Sequence, residues 1–155
     1  MAQLILPTAG GGTAPFEITA GPVPAPGGGW TRIAYAAAHV VADPRAEVDP
    51  GDGVAVDWDR TIAFRQHLWS LGLGVAEAMD TAQRGMGLDW KTSLELIQRS
   101  MDASPEGALI ASGAGTDHLA PGPEVTLDDV IAAYEMQCEA VEATGSRVIL
   151  MASRA

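Results

Sequence analysis

The stretch Gly72-Leu73-Gly74-Val75-Ala76-Glu77-Ala78-Met79-Asp80-Thr81-Ala82-Gln83-Arg84-Gly85-Met86-Gly87 decides how the rest of the chain is read. Its apolar run is too short for a helix and follows a Gly-x-Gly punctuation, so Gly74 to Ala78 reads as a buried strand. Two carboxylates, an amide and a guanidinium then fall at the strand's C-terminal end and in the loop behind it. In parallel α/β architectures that rim is where ligands bind, because variable loops stand above a rigid sheet.

Working outward, the neighbouring segments alternate between helical and strand patterns. Before the central strand, Asp57 reads as an N-cap, with Trp58, Ile62, Leu68 and Trp69 on one stripe and Leu71-Gly72 as the stop. Further upstream, the first half of Arg32 to Val41 reads as a strand, with His39 at or just past its C-terminal end. After the central strand, Asp89 opens a helix carrying Trp90, Leu94, Ile97 and Met101, which Ser104-Pro105 ends. Ala108 to Gly113 is a second buried strand, opening into Gly115-Thr116-Asp117-His118. Thr126-Leu127-Asp128-Asp129 resembles a capping box. The helix behind it places Leu127, Val130, Ile131, Tyr134, Cys138 and Val141 on its inner face, and Gly145 closes it. Val148 to Met151 is the last strand, followed by Ala152-Ser153-Arg154-Ala155.

Strands that begin roughly 35 to 40 residues apart, with helices between them, are parallel strands joined by crossovers. An open nucleotide-binding sheet would carry a Gly-rich turn after its first strand, and here that place holds His39-Val40-Val41-Ala42-Asp43. The expected fold is therefore α/β, the N-terminal half of a TIM (β/α)8 barrel. Residues 30–155 form its first four βα units, lacking the helix after strand four. Residues 1–29 are expected to form a short hairpin, from Leu4–Leu6 and Phe16–Thr19, and a Gly/Pro-rich connector. A complete barrel takes about 250 residues and eight strands. The chain is thus expected to be a fragment, a truncated product or a half that self-associates or meets a complementary half.

Composition narrows the partners. The 155 residues are 47% hydrophobic, enough for a core, and 20 acidic against 9 basic residues leave a net charge of −11. Nucleic acid and anionic membranes select basic surfaces, so neither is expected as a partner. Cys138 is the only cysteine. An internal disulfide is impossible, a cytoplasmic setting is favoured, and the thiol reads as structural. The start Met1 to Leu6 lacks the basic and long apolar segments of a secretory signal, and no run reaches a membrane span.

The candidate chemistry gathers at strand ends. Glu77 and Asp80 are the candidate catalytic carboxylates. Glu77 lies either inside the barrel, serving a site, or against the helices in an ion pair. Asp80 could act as general base, metal ligand or hydroxyl acceptor, or close an Asx turn. Gln83 and Arg84 can donate to a carboxylate or phosphate, and Arg154 is a second candidate anion anchor. His39, Asp117 and His118 are further candidate substrate-binding residues. No cofactor is expected, with a divalent metal on His39, Glu77 and Asp80 as the alternative.

The phrases YAAAHVVADP (35–44), LWSLGLGVAEAMDTAQRGMGLDW (68–90), SGAGTDHL (112–119) and VILMASRA (148–155) resemble an uncharacterised subgroup of the dihydrodipicolinate synthase/N-acetylneuraminate lyase superfamily. The resemblance spans Arg32 to Ala155. It implies a (β/α)8 barrel, often tetrameric, in which a lysine on the sixth strand forms a Schiff base with a 2-oxo acid. Thr81 falls within that superfamily's Thr-Thr-Gly-Glu segment, and Ser153 and Arg154 fall where its strand-four tyrosine stands. The Schiff-base lysine would lie beyond residue 155. The only lysine present, Lys91, sits in the first turn of an amphipathic helix. The implied activity is lyase or aldolase chemistry on an oxo-acid or sugar-derived substrate; the alternatives are a metal-dependent sugar isomerase or aldolase and an inert half-barrel.

Overall fold

Helices begin in this chain where a side chain can stand in for a missing backbone acceptor. Asp57 Oδ1 accepts from the Arg60 amide at 3.0 Å and opens α1 (Trp58–Ser70). Asp89 Oδ1 accepts from the Thr92 amide at 2.8 Å and opens α2 (Trp90–Ala103). Hydrogen bonds from the Thr92 side chain and amide hold the Asp89 carboxyl below its ordinary range. A reciprocal capping box of Thr126 and Asp129 opens α3 (Leu127–Ala143). After α3 the chain turns at Gly145, whose φ of +84° suits glycine.

These elements belong to a computed structural model that describes residues 2–19, 21, 31–48, 54–85 and 87–153. The expected connector falls almost entirely outside the described residues. The hairpin is present as β1 (Ala2–Pro7) and β2 (Thr13–Ile18), paired antiparallel with Leu4 opposite Phe16. Its register puts Leu4, Leu6, Phe16 and Ile18 on one face, and all four are exposed.

β3 (Tyr35–Ala37), β4 (Gly74–Glu77), β5 (Ile110–Ala114) and β6 (Arg147–Leu150) form a parallel sheet in the order β3-β4-β5-β6. Val75 stands opposite Ile110, and Ser112 opposite Val148. Residues of that one face meet the helices. Val75 and Ile110 join Leu68 and Trp69 of α1 in one cluster. Val148 packs against Leu96 and Ile97 of α2 and Val141 of α3 in the other. The mixed α/β class with a parallel sheet and crossover helices is as the alternation implied, and the strand order never reverses among the described residues. No helix among them is long and apolar enough to cross a membrane.

One expected face is corrected. The buried residues of α3 are Ala133, Gln137 and Val141, while Leu127 and Ile131 are 74% and 46% exposed. Val130, Tyr134 and Cys138 are half-buried beside Val141, so the expected face holds apart from Leu127 and Ile131, and Gln137 takes a buried place among polar partners. Leu150, on the helix-facing side of β6, is 66% exposed. Cys138 lies half-buried on α3, where burial and the nearby Glu142 charge push its thiol pKa up, against a nucleophilic role.

Candidate functional site

The C-terminal ends of the strands carry two separate polar assemblies. At the end of β4, Glu77 is wholly buried and turned into the helix layer. Arg65 of α1 meets it through its Nε–Nη2 edge: Nε donates to Oε2 at 2.9 Å and Nη2 to Oε1 at 2.8 Å. Ser100 of α2 donates to Oε2 at 2.6 Å, and the Ala78 amide to Oε1 at 3.0 Å. Arg65 Nη1 also donates to the His39 carbonyl at 2.6 Å and the Thr61 carbonyl at 3.1 Å. The expectation of Glu77 as a catalytic carboxylate or metal ligand gives way here. A carboxylate so fully paired is a fastener between α1, α2, β3 and β4.

Beyond Glu77 the backbone turns sharply. Ala78 takes a positive φ of 51°, unusual for a residue with a Cβ, and is itself fully buried. Its amide is held by Glu77 and its carbonyl by Arg84 Nη1 at 3.4 Å. A single 3-10 turn, Asp80–Ala82, follows, and Gln83 (φ 64°) returns the chain so that Arg84 reaches under the rim.

Arg84 organises the second assembly. Its Nε and Nη2 donate to Asp117 Oδ1 at 3.2 and 2.9 Å. Nη1 also reaches the Gly113 carbonyl and Nη2 also reaches Gln137 Oε1. A guanidinium has five N–H groups, and all five are committed. Its face lies 4.9 Å from the Trp90 ring centroid. Arg84, expected as an anion anchor, therefore binds the protein to itself.

Gln137 completes the arrangement. Its Oε1 also accepts from the Gly115 amide at 2.7 Å, which fixes the amide's orientation. Nε2 then donates to Asp117 Oδ1 at 3.1 Å and to His118 Nδ1 at 2.7 Å, so the His118 ring proton sits on Nε2. Burial by itself raises the Asp117 pKa. Hydrogen bonds from Arg84 and Gln137, with the Arg84 charge, outweigh burial and hold the carboxyl below its ordinary range.

Above this network opens a cleft of about 120 Å³, lined by Asp80, Arg84, Gly115, Thr116, Asp117, Met151, Ala152 and Ser153. Thr116 Oγ1 and Ser153 Oγ lie 2.8 Å apart at its wall. Of the expected site residues, the cleft thus gathers Asp80, Arg84, Asp117 and Ser153. His118 stands beside it on a shallower surface with Lys91. Thr81 and Gln83 are exposed on the rim, with Gln83 bordering a different, apolar hollow. His39 stands at the end of β3 with its ring 4.6 Å from that of Phe64, and Arg154 lies outside the described residues. Among the described residues no three His, Cys, Asp or Glu side chains cluster as metal ligands, and His39 and Glu77 do not converge with Asp80. The residues that sequence reasoning missed are Arg65, Ser100, Thr116 and Gln137. Gln137 alone left a trace, as the polar member of the Ala133-Gln137-Val141 row at helical spacing.

The profile of the family described as "Protein of unknown function (DUF993)" matches residues 4–155. The chain belongs to this family. No curated protein matches it. The DUF993 match takes in both polar assemblies and the cleft, so each of these features falls within the family's span.

Proposed function

We propose that this DUF993 chain forms half of a (β/α)8 barrel, similar to the dihydrodipicolinate synthase/N-acetylneuraminate lyase superfamily, and contributes substrate-binding groups to a lyase or aldolase. The observation that carries the reading is the unreversed order β3-β4-β5-β6, helices on one face, with a cleft at the carboxyl ends of β5 and β6. Closing such a barrel takes about four more βα units. They would come from further sequence, a complementary chain or a second copy. The exposed Leu127, Ile131 and Leu150, on the side where a next unit would stand, fit that requirement.

In this reading the intact enzyme makes or breaks a carbon–carbon bond beside a carbonyl, with a lysine of the complementing half as iminium former. Within this half, Asp117, Thr116, Asp80 and Ser153 orient the substrate, while Arg84 and Gln137 position Asp117. Lys91 lies in the first turn of α2 and does not line the cleft, so it is not the iminium lysine. The cytoplasm is the proposed setting. The test is borohydride reduction of the assembled protein with pyruvate and other 2-oxo acids, followed by intact-mass measurement. A substrate-sized adduct on a lysine is expected. An assembled, folded protein that gives none would remove the Schiff-base reading.

A further inference from the structure

Gln137 is wholly buried, whereas His118, which it holds, is exposed. A surface imidazole can find its hydrogen bonds in water, so a tether from it into the interior calls for a reason. The tether is fixed at its inner end. Gln137 Oε1 accepts from the Gly115 amide at 2.7 Å and from Arg84 Nη2, and Gln137 Nε2 donates to Asp117 Oδ1 at 3.1 Å. Turning the amide over would set its NH2 against two donors and its oxygen against a carboxylate, so one orientation alone is satisfied. The second N–H of Gln137 then goes to His118 Nδ1, 2.7 Å away, which must offer a lone pair. The proton of the neutral ring is left on Nε2, on the side of the ring away from Gln137. That nitrogen has no protein partner among the described residues.

We infer that Gln137 is a positioning residue that keeps His118 as a neutral Nε2–H donor, and that His118 uses this donor to bind an acceptor oxygen of the 2-oxo acid. The identity of the ligand rests on the proposed lyase reading; the fixed tautomer does not. A ligand ammonium has no lone pair to offer Nε2–H and is not its partner. A neutral imidazole donor stabilises charge growing on a substrate oxygen while keeping its proton.

The experiment is nitrogen-15 NMR of the labelled intact protein at neutral pH. Long-range proton–nitrogen correlations show which ring nitrogen of each of the three histidines carries the proton, and His118→Ala assigns the signals. His118 is expected as the Nε2–H tautomer. Gln137→Glu, checked for folding by circular dichroism, is expected to move the proton to Nδ1, because a carboxylate accepts where the amide donated. Pyruvate is expected to shift the His118 ring signals saturably and methylammonium to leave them in place, with His118→Ala binding pyruvate about tenfold more weakly. A parent His118 that is doubly protonated or carries its proton on Nδ1 overturns the inference, whether or not the variant folds. So does a folded Gln137→Glu that keeps the proton on Nε2, a His118 that pyruvate leaves unmoved, or one that methylammonium shifts as far. Borohydride trapping reports separately on the lyase reading, so a pyruvate-dependent shift without an adduct would sink the chemistry and leave the donor.

Discussion

Arg65 and Glu77 meet edge to edge in the dry layer between helix α1 and strand β4, with no exposure of either side chain. They also brace the two chain segments that emerge at the rim, through the His39 carbonyl and the Ala78 amide. Removing one partner leaves the other charge buried and unpaired. Arg65→Ala or Glu77→Ala should each cost about 3–5 kcal/mol in urea unfolding. The double replacement Arg65→Ala with Glu77→Ala should cost less than the sum of the singles, because neither charge is then left buried without its partner. Strict additivity would show that the two side chains are not coupled.

Asp117 gives the protein an acid-sensitive element. Its folded pKa lies below the ordinary 3.8, because the Arg84 and Gln137 interactions outweigh the upward push of burial. A depressed folded value means the stabilisation is complete above 3.8 and is lost as pH falls through the lower folded value. Asp117→Asn should therefore be less stable than the parent at neutral pH, with the difference shrinking below pH 3.8. Circular dichroism melts along a pH series measure this. A gap that stays constant to the acid end would show that Asp117 titrates as it does in the unfolded chain.

Gly113 on β5 is sized for its neighbours. A Cβ there would stand 2.9 Å from the Ala78 carbonyl oxygen and 2.9 Å from Met151 Sδ. The methionine can move, but the Ala78 carbonyl is part of a turn held from both sides by Glu77 and Arg84. Gly113→Ala should destabilise by about 1–3 kcal/mol and weaken ligand binding at the cleft. Gly10→Ala, in open space on the hairpin turn, should be close to neutral and serves as the control.

Leu127 and Ile131 of α3 and Leu150 of β6 are exposed, and so are Leu4, Leu6, Phe16 and Ile18 on one face of the hairpin. Exposed large apolar side chains of this kind favour association. Light scattering is expected to show a dimer or larger species. Ile131→Glu with Leu150→Lys should shift it toward the monomer without lowering helix content. Unchanged mass for that variant would move the interface elsewhere, to the hairpin face first.

The local rules were legible in the sequence wherever the deciding partner was a near neighbour. Asp57, Asp89 and the Thr126–Asp129 box open their helices because the capped amides lie three residues away. The same holds for the parallel sheet, since alternating periodicities leave few other arrangements. The site was half legible. Asp117 and Ser153 do line the cleft, and the rim position of Asp80 followed from the end of its strand.

What the chain order could not reveal was pairing across distance. Glu77 sits on a strand, where one step of register separates the helix-facing side from the other, and only the docking of α1 and α2 brings Arg65 and Ser100 to it. Arg84 finds Gln137 across 53 positions of sequence, a pairing that only the docking of α3 under the sheet rim brings about. The sequence by itself thus determined the elements and their order, because short-range hydrogen bonds and apolar periodicity specify them. The tertiary structure alone decided which charges are spent on holding the protein together, because a buried charge takes whichever partner packing delivers.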